Sequence, residues 1–489
     1  MSTETVSREL MLVDGQWTKS ISNEFFAIEN PAHRGSVIAE VPRGTSEDVD
    51  LAVKAADKAF QSWKKVPARE RGKLLLKIAD TLEEQAEDFA RTITLETGNA
   101  LRTQSRGEVK GATDVIRYFG GVAGELKGET MPVDNNMFAY TQREPYGVVG
   151  GIIPWNSPLQ LAALKLAPAL AAGNTIVLKA AEDAPLCVLK LAKICSEYLP
   201  QGVVNVLTGY GEECGLPLAQ HPLVKKLTFT GSTETGKIIM HQAADRVIPI
   251  SLELGGKSPQ IVYPDADNDK VIENVISAMR FARQGQSCSA GSRLYLHKSI
   301  YDSFVTKLIG KLKLLKVGNP LEEDTDMGAI ISEKQFKKVC SYIEEGVKHD
   351  DVELLLGGLP PKDGPLAEGY YLEPTLFTCN HDNFRLAKEE IFGPVLIIIP
   401  WEDEEEVIQL ANKSDYGLAA FIWTQNINQA MQTANQLEAG WVQINRGGGM
   451  MIGHSYGGYK QSGIGREYSL ESMIDSFTQT KSIIIDFNS

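Results

Sequence analysis

Cysteine is sparse and unpaired in pattern. The 489 residues hold six cysteines and no Cys-x-x-Cys, which offers no disulfide framework. A reducing cytoplasm is the expected compartment. Long apolar runs are missing too. The best, LQLAALKLAPALAAG, is interrupted by Lys165 and Pro168 and falls short of the roughly 20 residues that cross a bilayer. The opening MSTETVSREL has neither a basic stretch nor an apolar core, so no signal peptide is expected. Positive charge is in the minority: 49 Lys and Arg face 63 Asp and Glu, a net charge of −14. Such a chain repels a nucleic-acid backbone unless it carries a basic patch. Its basic residues are scattered, and Lys64-Lys65 and Lys225-Lys226 read as solvated faces. Neither nucleic acid nor membrane is an expected partner.

What is present is ordinary globular sequence, 43% hydrophobic and 23% charged, too long for one compact core. Two or three domains are expected. From position 46 the signals are helical. Ser46 can cap, Glu47 and Asp48 favour the first turn, and Ala52, Ala55, Ala56, Ala59, Phe60 and Trp63 share a face. A second amphipathic helix is expected from about Arg69 to Leu95, stopped by Gly98.

After Gly147 the texture changes. GVVGGIIP, TIVLK, GVVNVL and KKLTF are short β-branched runs, separated by helix-like stretches. Strands alternating with helices predict a parallel α/β sheet with right-handed crossovers. Past Glu253 the pattern resumes with PQIVY, a helix from about Lys270 to Arg283, and RLYLH, which predicts a second α/β unit. The tail DSFTQTKSIIIDF alternates like an exposed strand, and a free edge of that kind usually needs a partner.

FTGSTETGKII at 229–239 contains G-x-x-x-x-G-K. A phosphate-transferring loop needs Ser or Thr after the lysine to hold magnesium, and here that residue is Ile238. The rest survives: a strand ending at Thr230, Gly231 for close backbone approach, and Ser232 to cap a helix. A helix start of this kind attracts anions, and a cofactor pyrophosphate suits it. A plain strand–turn–helix corner is the other reading. G-x-G-x-x-G is absent, and GYGEECG at 209–215 is one residue too long.

Four segments can carry chemistry. IIPWNSPLQ holds Asn156, IVLKAAED holds Lys179 and Glu182, SLELGGKSPQ holds Glu253, and RQGQSCSAGSR holds Cys288. Cys288 has Gln286, Ser287, Ser289 and Gly291 around it, a poor setting for a core position. Glu253 sits in an apolar strand with no basic neighbour before Lys257. None of these motifs calls for a metal.

Over nearly its whole length the chain resembles the aldehyde dehydrogenase superfamily. PWN at 154–156, FTGS at 229–232, LELGGK at 252–257, GQSCSAGSR at 285–293, EEIFGPV at 389–395 and YGGYKQSGIGRE at 456–467 occur in family order. The resemblance implies an NAD(P)-dependent enzyme that oxidises an aldehyde to its acid. Cys288 would attack, Asn156 and the Cys288 N–H would hold the oxyanion, and Glu253 would activate water. Lys165 resembles a position linked to proton relay, against the alternative of a surface lysine. Lys179 and Glu182 would meet the adenosine ribose, where a carboxylate favours NAD over NADP. Gly231 and Ser232 would meet the pyrophosphate with Trp155 beside them, and Glu390 and Phe392 the nicotinamide end. Where the family often has Pro after the lysine, this chain has Ala180, which implies a slightly looser loop.

The same resemblance implies two Rossmann-like domains and a β arm. Residues 1–122 and 146–252 would bind cofactor, 253–467 would carry the chemistry, and 123–145 with 468–489 would join subunits into a homodimer or homotetramer. Pocket positions would be Ser157, Leu161, Leu164, Ala282, Ser287, Ser289 and Tyr456. Several are small, which implies room for a medium or bulky aldehyde. Arg283, Arg446 and His454 could instead read a carboxylate on a semialdehyde, or be structural. A coenzyme A-dependent, acylating enzyme is the alternative activity, and Glu253 counts against it.

Overall fold

A computed structural model describes residues 6–488. Met1 to Thr5, part of the N-terminal stretch read above, and Ser489, at the end of the expected arm, lie outside the described residues. Two α/β sheets organise the chain. The first has eight strands, and its middle is five parallel strands in the order Ile250–Glu253, Val224–Thr230, Val148–Ile152, Thr175–Lys179 and Val204–Leu207. Antiparallel strands flank it: Gly463–Ile464 on one side, Met11–Val13 and then Gln16–Thr18 on the other. Val148–Ile152, Thr175–Lys179 and Val204–Leu207 are buried on both faces, which is why they read as unbroken β-branched runs.

The second sheet has seven strands. Pro259–Val262 lies between Arg293–His297 and Ala419–Trp423, and only the edge strand Val352–Leu356 is antiparallel. A third sheet joins Thr130–Asp134, Met137–Pro145 and Thr478–Asp486. Phe138, Ile484 and Ile485 stand exposed on it. No helix among the described residues is long and apolar enough to cross a membrane.

Chain order places a crevice. The strand Val148–Ile152 is followed outward by Thr175–Lys179 and Val204–Leu207 on one side. The chain then returns to lay Val224–Thr230 on the other side. The carboxyl ends of Val148–Ile152 and Val224–Thr230 therefore form the switch point at which open α/β sheets bind ligands.

Several local expectations need correcting. Ser46 is the first helical residue and Thr45 is the cap, its N–H donating to Asp48 at 2.8 Å. The helix expected from Arg69 to Leu95 is two, Ala68–Glu84 and Ala86–Thr97, bent at Gln85. The apolar stripe continues across the bend, so periodicity does not reveal it. Gly98 does end the second helix, at φ +75°. The helix expected to Arg283 stops at Ala278, because Arg280, Gln284 and Gly285 take positive φ and turn the chain toward the site. The tail opens as the helix Leu470–Phe477, and its strand begins only at Thr478. Lys64, Lys65 and Lys225 are exposed, but Lys226 is buried and donates to Ser251 Oγ at 2.6 Å.

Candidate active site

The first sheet delivers side chains to the crevice from four strand ends. Trp155 and Asn156 follow Ile152, and Lys179 ends its own strand. Gly231 and Ser232 follow Thr230, and Glu253 ends the neighbouring strand, with the Gly231 N–H donating to its carbonyl at 3.1 Å. Ser232 caps the helix Thr233–Arg246 by accepting from the Thr235 N–H at 3.2 Å. Gly231 is needed there, because a Cβ would stand 2.5 Å from the Phe229 ring. Lys237, the lysine of the G-x-x-x-x-G-K run, turns away to Gln461 at 2.8 Å. GYGEECG forms a strand-to-helix corner instead of a dinucleotide loop.

Asn156 is buried, and its amide donates to the Gln286 carbonyl at 3.1 Å, two residues before Cys288. An amide NH₂ has two donor hydrogens, so one tethers Asn156 to the loop that carries Cys288 and one is left over. The loop is shaped by glycines. A Cβ on Gly285 would stand 2.1 Å from the Gly393 carbonyl oxygen, and one on Gly256 would stand 2.3 Å from that of Cys288. The Gly-Gly turn after Glu253 thus lies directly against the backbone of the cysteine. Cys288 is partly buried, and burial pushes its thiol up to about 11.

Glu253 is buried, and neither carboxylate oxygen has a hydrogen-bond partner among the described residues. Burial raises its carboxyl well above the usual range, and the negative Glu467 adds to that, while Lys165 and Arg466 oppose it. Lys165 is fully buried and pairs with Glu467, so the surface-lysine alternative fails. Glu467 closes the motif YGGYKQSGIGRE, but nothing in its spacing marks it as the partner of Lys165.

Lys179 is buried and donates to Glu182 at 2.8 Å. Burial disfavours the Glu182 charge, but Lys179 outweighs it and holds the carboxyl below its ordinary range. Ala180 donates its N–H to the Leu207 carbonyl at 3.0 Å. Proline has no N–H to give there, so this chain ties its loop by a hydrogen bond instead of by a ring. Glu390 accepts from the Gly256 N–H at 2.9 Å, and burial lifts its carboxyl to about 7. Phe392, at φ +59°, meets Trp155 edge to face at 5.3 Å.

A family model for the aldehyde dehydrogenases matches residues 17–483. The chain belongs to the aldehyde dehydrogenase family. An aldehyde dehydrogenase of Vibrio cholerae is 43% identical over 462 residues, 93% of this chain and 90% of its own. One from Deinococcus radiodurans is 40% identical over 480 residues, 97% and 92%. Among solved structures, an NAD⁺ complex of a Bacillus cereus aldehyde dehydrogenase superposes with a TM-score of 0.95. It is 40% identical and covers 98% of this chain and 97% of that one. Betaine aldehyde dehydrogenase from Staphylococcus aureus with NAD⁺ is 38% identical, with a TM-score of 0.95 and coverage of 98% and 95%. This aldehyde dehydrogenase is thus an oxidoreductase acting on aldehydes.

Of the expected pocket positions, Ser287, Ser289, Ser157, Leu164 and Tyr456 are buried, while Leu161 and Ala282 are partly exposed. Tyr456 brings its hydroxyl 3.8 Å from Cys288 Sγ. Of the three residues that could read a carboxylate or be structural, Arg283 acts on the Cys288 thiol by its charge. Arg283 donates through Nε to Gln104 at 3.0 Å once that amide is turned to accept. Arg446 is exposed and donates to the Gly449 carbonyl at 3.1 Å, and His454 is exposed on the same loop. No motif in the sequence marks Glu108. It is buried on the helix Arg106–Val122 and accepts from the Leu159 N–H at 3.1 Å, in the first turn of the helix behind Asn156.

Proposed function

We propose that Cys288, Asn156 and Glu253 carry the NAD-dependent oxidation of an aldehyde to its carboxylic acid. The observation that supports this is their convergence. Asn156 is tethered to the nucleophile loop, and the turn after Glu253 is packed on the Cys288 carbonyl. As a thiolate, Cys288 attacks the aldehyde carbon. The free amide hydrogen of Asn156 and the Cys288 N–H receive the oxygen that becomes negative, and one such donor lowers a barrier by about 2.7–4 kcal/mol. The Cys288 thioester is then hydrolysed. Glu253, with its raised proton affinity and unpaired oxygens, takes a proton from the attacking water.

The residues present fit a dinucleotide. Gly231 leaves no side chain at a helix start in the crevice, and Glu182 is 41% exposed beside a buried lysine, free to accept from a ribose. Lys179 and Glu182 would hold the adenosine ribose, Gly231 and Ser232 the pyrophosphate, Glu390 the second ribose, and Trp155 and Phe392 the nicotinamide end. When bound, NAD accepts a hydride. The Glu182 charge disfavours NADP.

We further propose that the eight-stranded sheet is the cofactor-binding unit and that the seven-stranded sheet supports the nucleophile. The exposed apolar residues on the sheet of Thr130–Asp134, Met137–Pro145 and Thr478–Asp486 support its use as an arm between copies of the chain. Cysteines that form no disulfide support a reducing, cytoplasmic setting.

Product analysis with NAD, with and without coenzyme A, tests the reaction. Acid formed without coenzyme A supports it, and a strict need for coenzyme A would replace hydrolysis by acyl transfer. Cys288→Ser should lose turnover. Retained turnover would remove the cysteine from the mechanism.

A further inference from the structure

Burial of the Cys288 thiol opposes the ionisation that attack requires, and the charges of Glu390 and Glu253 add to that while Arg283 works against it. Within reach of its sulfur is the Tyr456 hydroxyl, at 3.8 Å. That hydroxyl is held in place. The Tyr456 ring is buried, and it meets Trp441 edge to face at 5.4 Å and Tyr468 at 5.8 Å. Its backbone is bridged both ways to Glu467, with N–H···O distances of 3.1 and 2.7 Å. A tyrosine ring so confined has little freedom to move its hydroxyl away.

While the sulfur carries a proton, either group can donate. Once the sulfur is a thiolate it can only accept, and the hydroxyl must donate. A hydrogen bond to an ionised partner is roughly twice as strong as a neutral one, so this contact favours the thiolate. We propose that Tyr456, beyond lining the pocket, is a catalytic residue that donates its phenolic hydrogen to the Cys288 thiolate and holds it ready for attack. The inference rests on Cys288 being the nucleophile.

The balance is simple. Ionisation sends the thiol proton to water, and Tyr456 keeps its own. Attack forms the Sγ–carbon bond and moves the carbonyl π pair onto oxygen, where the Asn156 amide waits. The hydroxyl then has a neutral sulfur beside it and its hydrogen bond weakens. Tyr456 remains a donor throughout, because burial raises its hydroxyl well above the ordinary tyrosine range.

Tyr456→Phe deletes one oxygen and leaves the ring. The test is the pH dependence of Cys288 alkylation by iodoacetamide in the full-length enzyme, beside thermal midpoints to confirm folding. The thiol titration of Tyr456→Phe should move up by about one pH unit, which is about tenfold less thiolate at a fixed pH. kcat/KM for a good aldehyde should fall by a similar factor at neutral pH and recover as pH rises. Tyr468→Phe is the control, since Tyr468 belongs to the same stack but its hydroxyl accepts from Gln160 at 3.1 Å. Its alkylation profile should stay put. A superimposable profile for folded Tyr456→Phe would overturn the proposal, as would an equal shift in Tyr468→Phe. Cys288→Ser separates the two readings: if it still turns over, the nucleophile assignment fails first.

Discussion

Lys165 and Glu467 stand 302 positions apart in the chain and pair inside the protein, with the lysine fully buried. The pair lies beside Glu253 in charge terms, because Glu467 raises the Glu253 carboxyl and Lys165 lowers it. Breaking a buried pair from one side leaves an uncompensated charge, typically at about 3–5 kcal/mol. Lys165→Met is therefore expected to lose stability of that order, and Lys165→Met with Glu467→Gln to regain much of it. Urea midpoints of the three proteins would check this. An additive double variant would mean that the two residues do not interact.

Glu253 should show opposite effects on activity and stability. Its proton affinity is raised in the folded state. Between the ordinary glutamate range and that raised value, the folded protein keeps a proton that the unfolded chain has released. Stability attributable to Glu253 therefore falls as pH rises through that window. Glu253→Gln removes the penalty, so its melting temperature should exceed the parent's at alkaline pH and converge with it toward pH 4.5. The same variant should slow thioester hydrolysis by about 10²–10⁴-fold, the usual contribution of a general base. Calorimetry across pH and acid release after rapid mixing report the two effects.

The adjacent glycines Gly255 and Gly256 should respond differently to alanine. At Gly256 the new methyl would stand 2.3 Å from the Cys288 carbonyl oxygen, which is backbone. At Gly255 it would stand 2.6 Å from Glu390 Oε2, the end of a side chain that can swing. Gly256→Ala should cost about 1–3 kcal/mol and most of the turnover. Gly255→Ala should fold near normally and show a raised KM for NAD through the displaced Glu390. Equal behaviour of the two in melting and steady-state assays would contradict the proposed cofactor role of Glu390.

Cofactor choice should rest on Glu182. It is paired with Lys179 and partly exposed. Glu182→Gln removes the negative charge and keeps the shape. The kcat/KM ratio of NADP to NAD should rise by about tenfold, the effect of about 1.4 kcal/mol. An unchanged ratio would place cofactor discrimination elsewhere.

Much of this was open to reading in the one-dimensional chain. The buried parallel strands announce themselves as β-branched runs, since both of their faces must be apolar. The six motifs name the family because each holds a turn or a reactive group in fixed order. Local chemistry also marks Ser232 as a cap and Gly98 as a stop. What escaped is what depends on distant neighbours. The bend at Gln85 leaves the helical stripe intact, and the end of the helix at Ala278 comes from positive-φ residues that turn the chain toward Cys288. Lys226 looks like a surface lysine beside Lys225, yet the alternation of a strand sends one outward and the other to Ser251. Residue types and their local order determined the family, its motifs and the strands. Tertiary structure alone decided that Glu467 meets Lys165, that Gln286 holds Asn156 and that the Tyr456 hydroxyl reaches Cys288. Those contacts join segments 130 to 302 residues apart, and no local propensity encodes a distance across the fold.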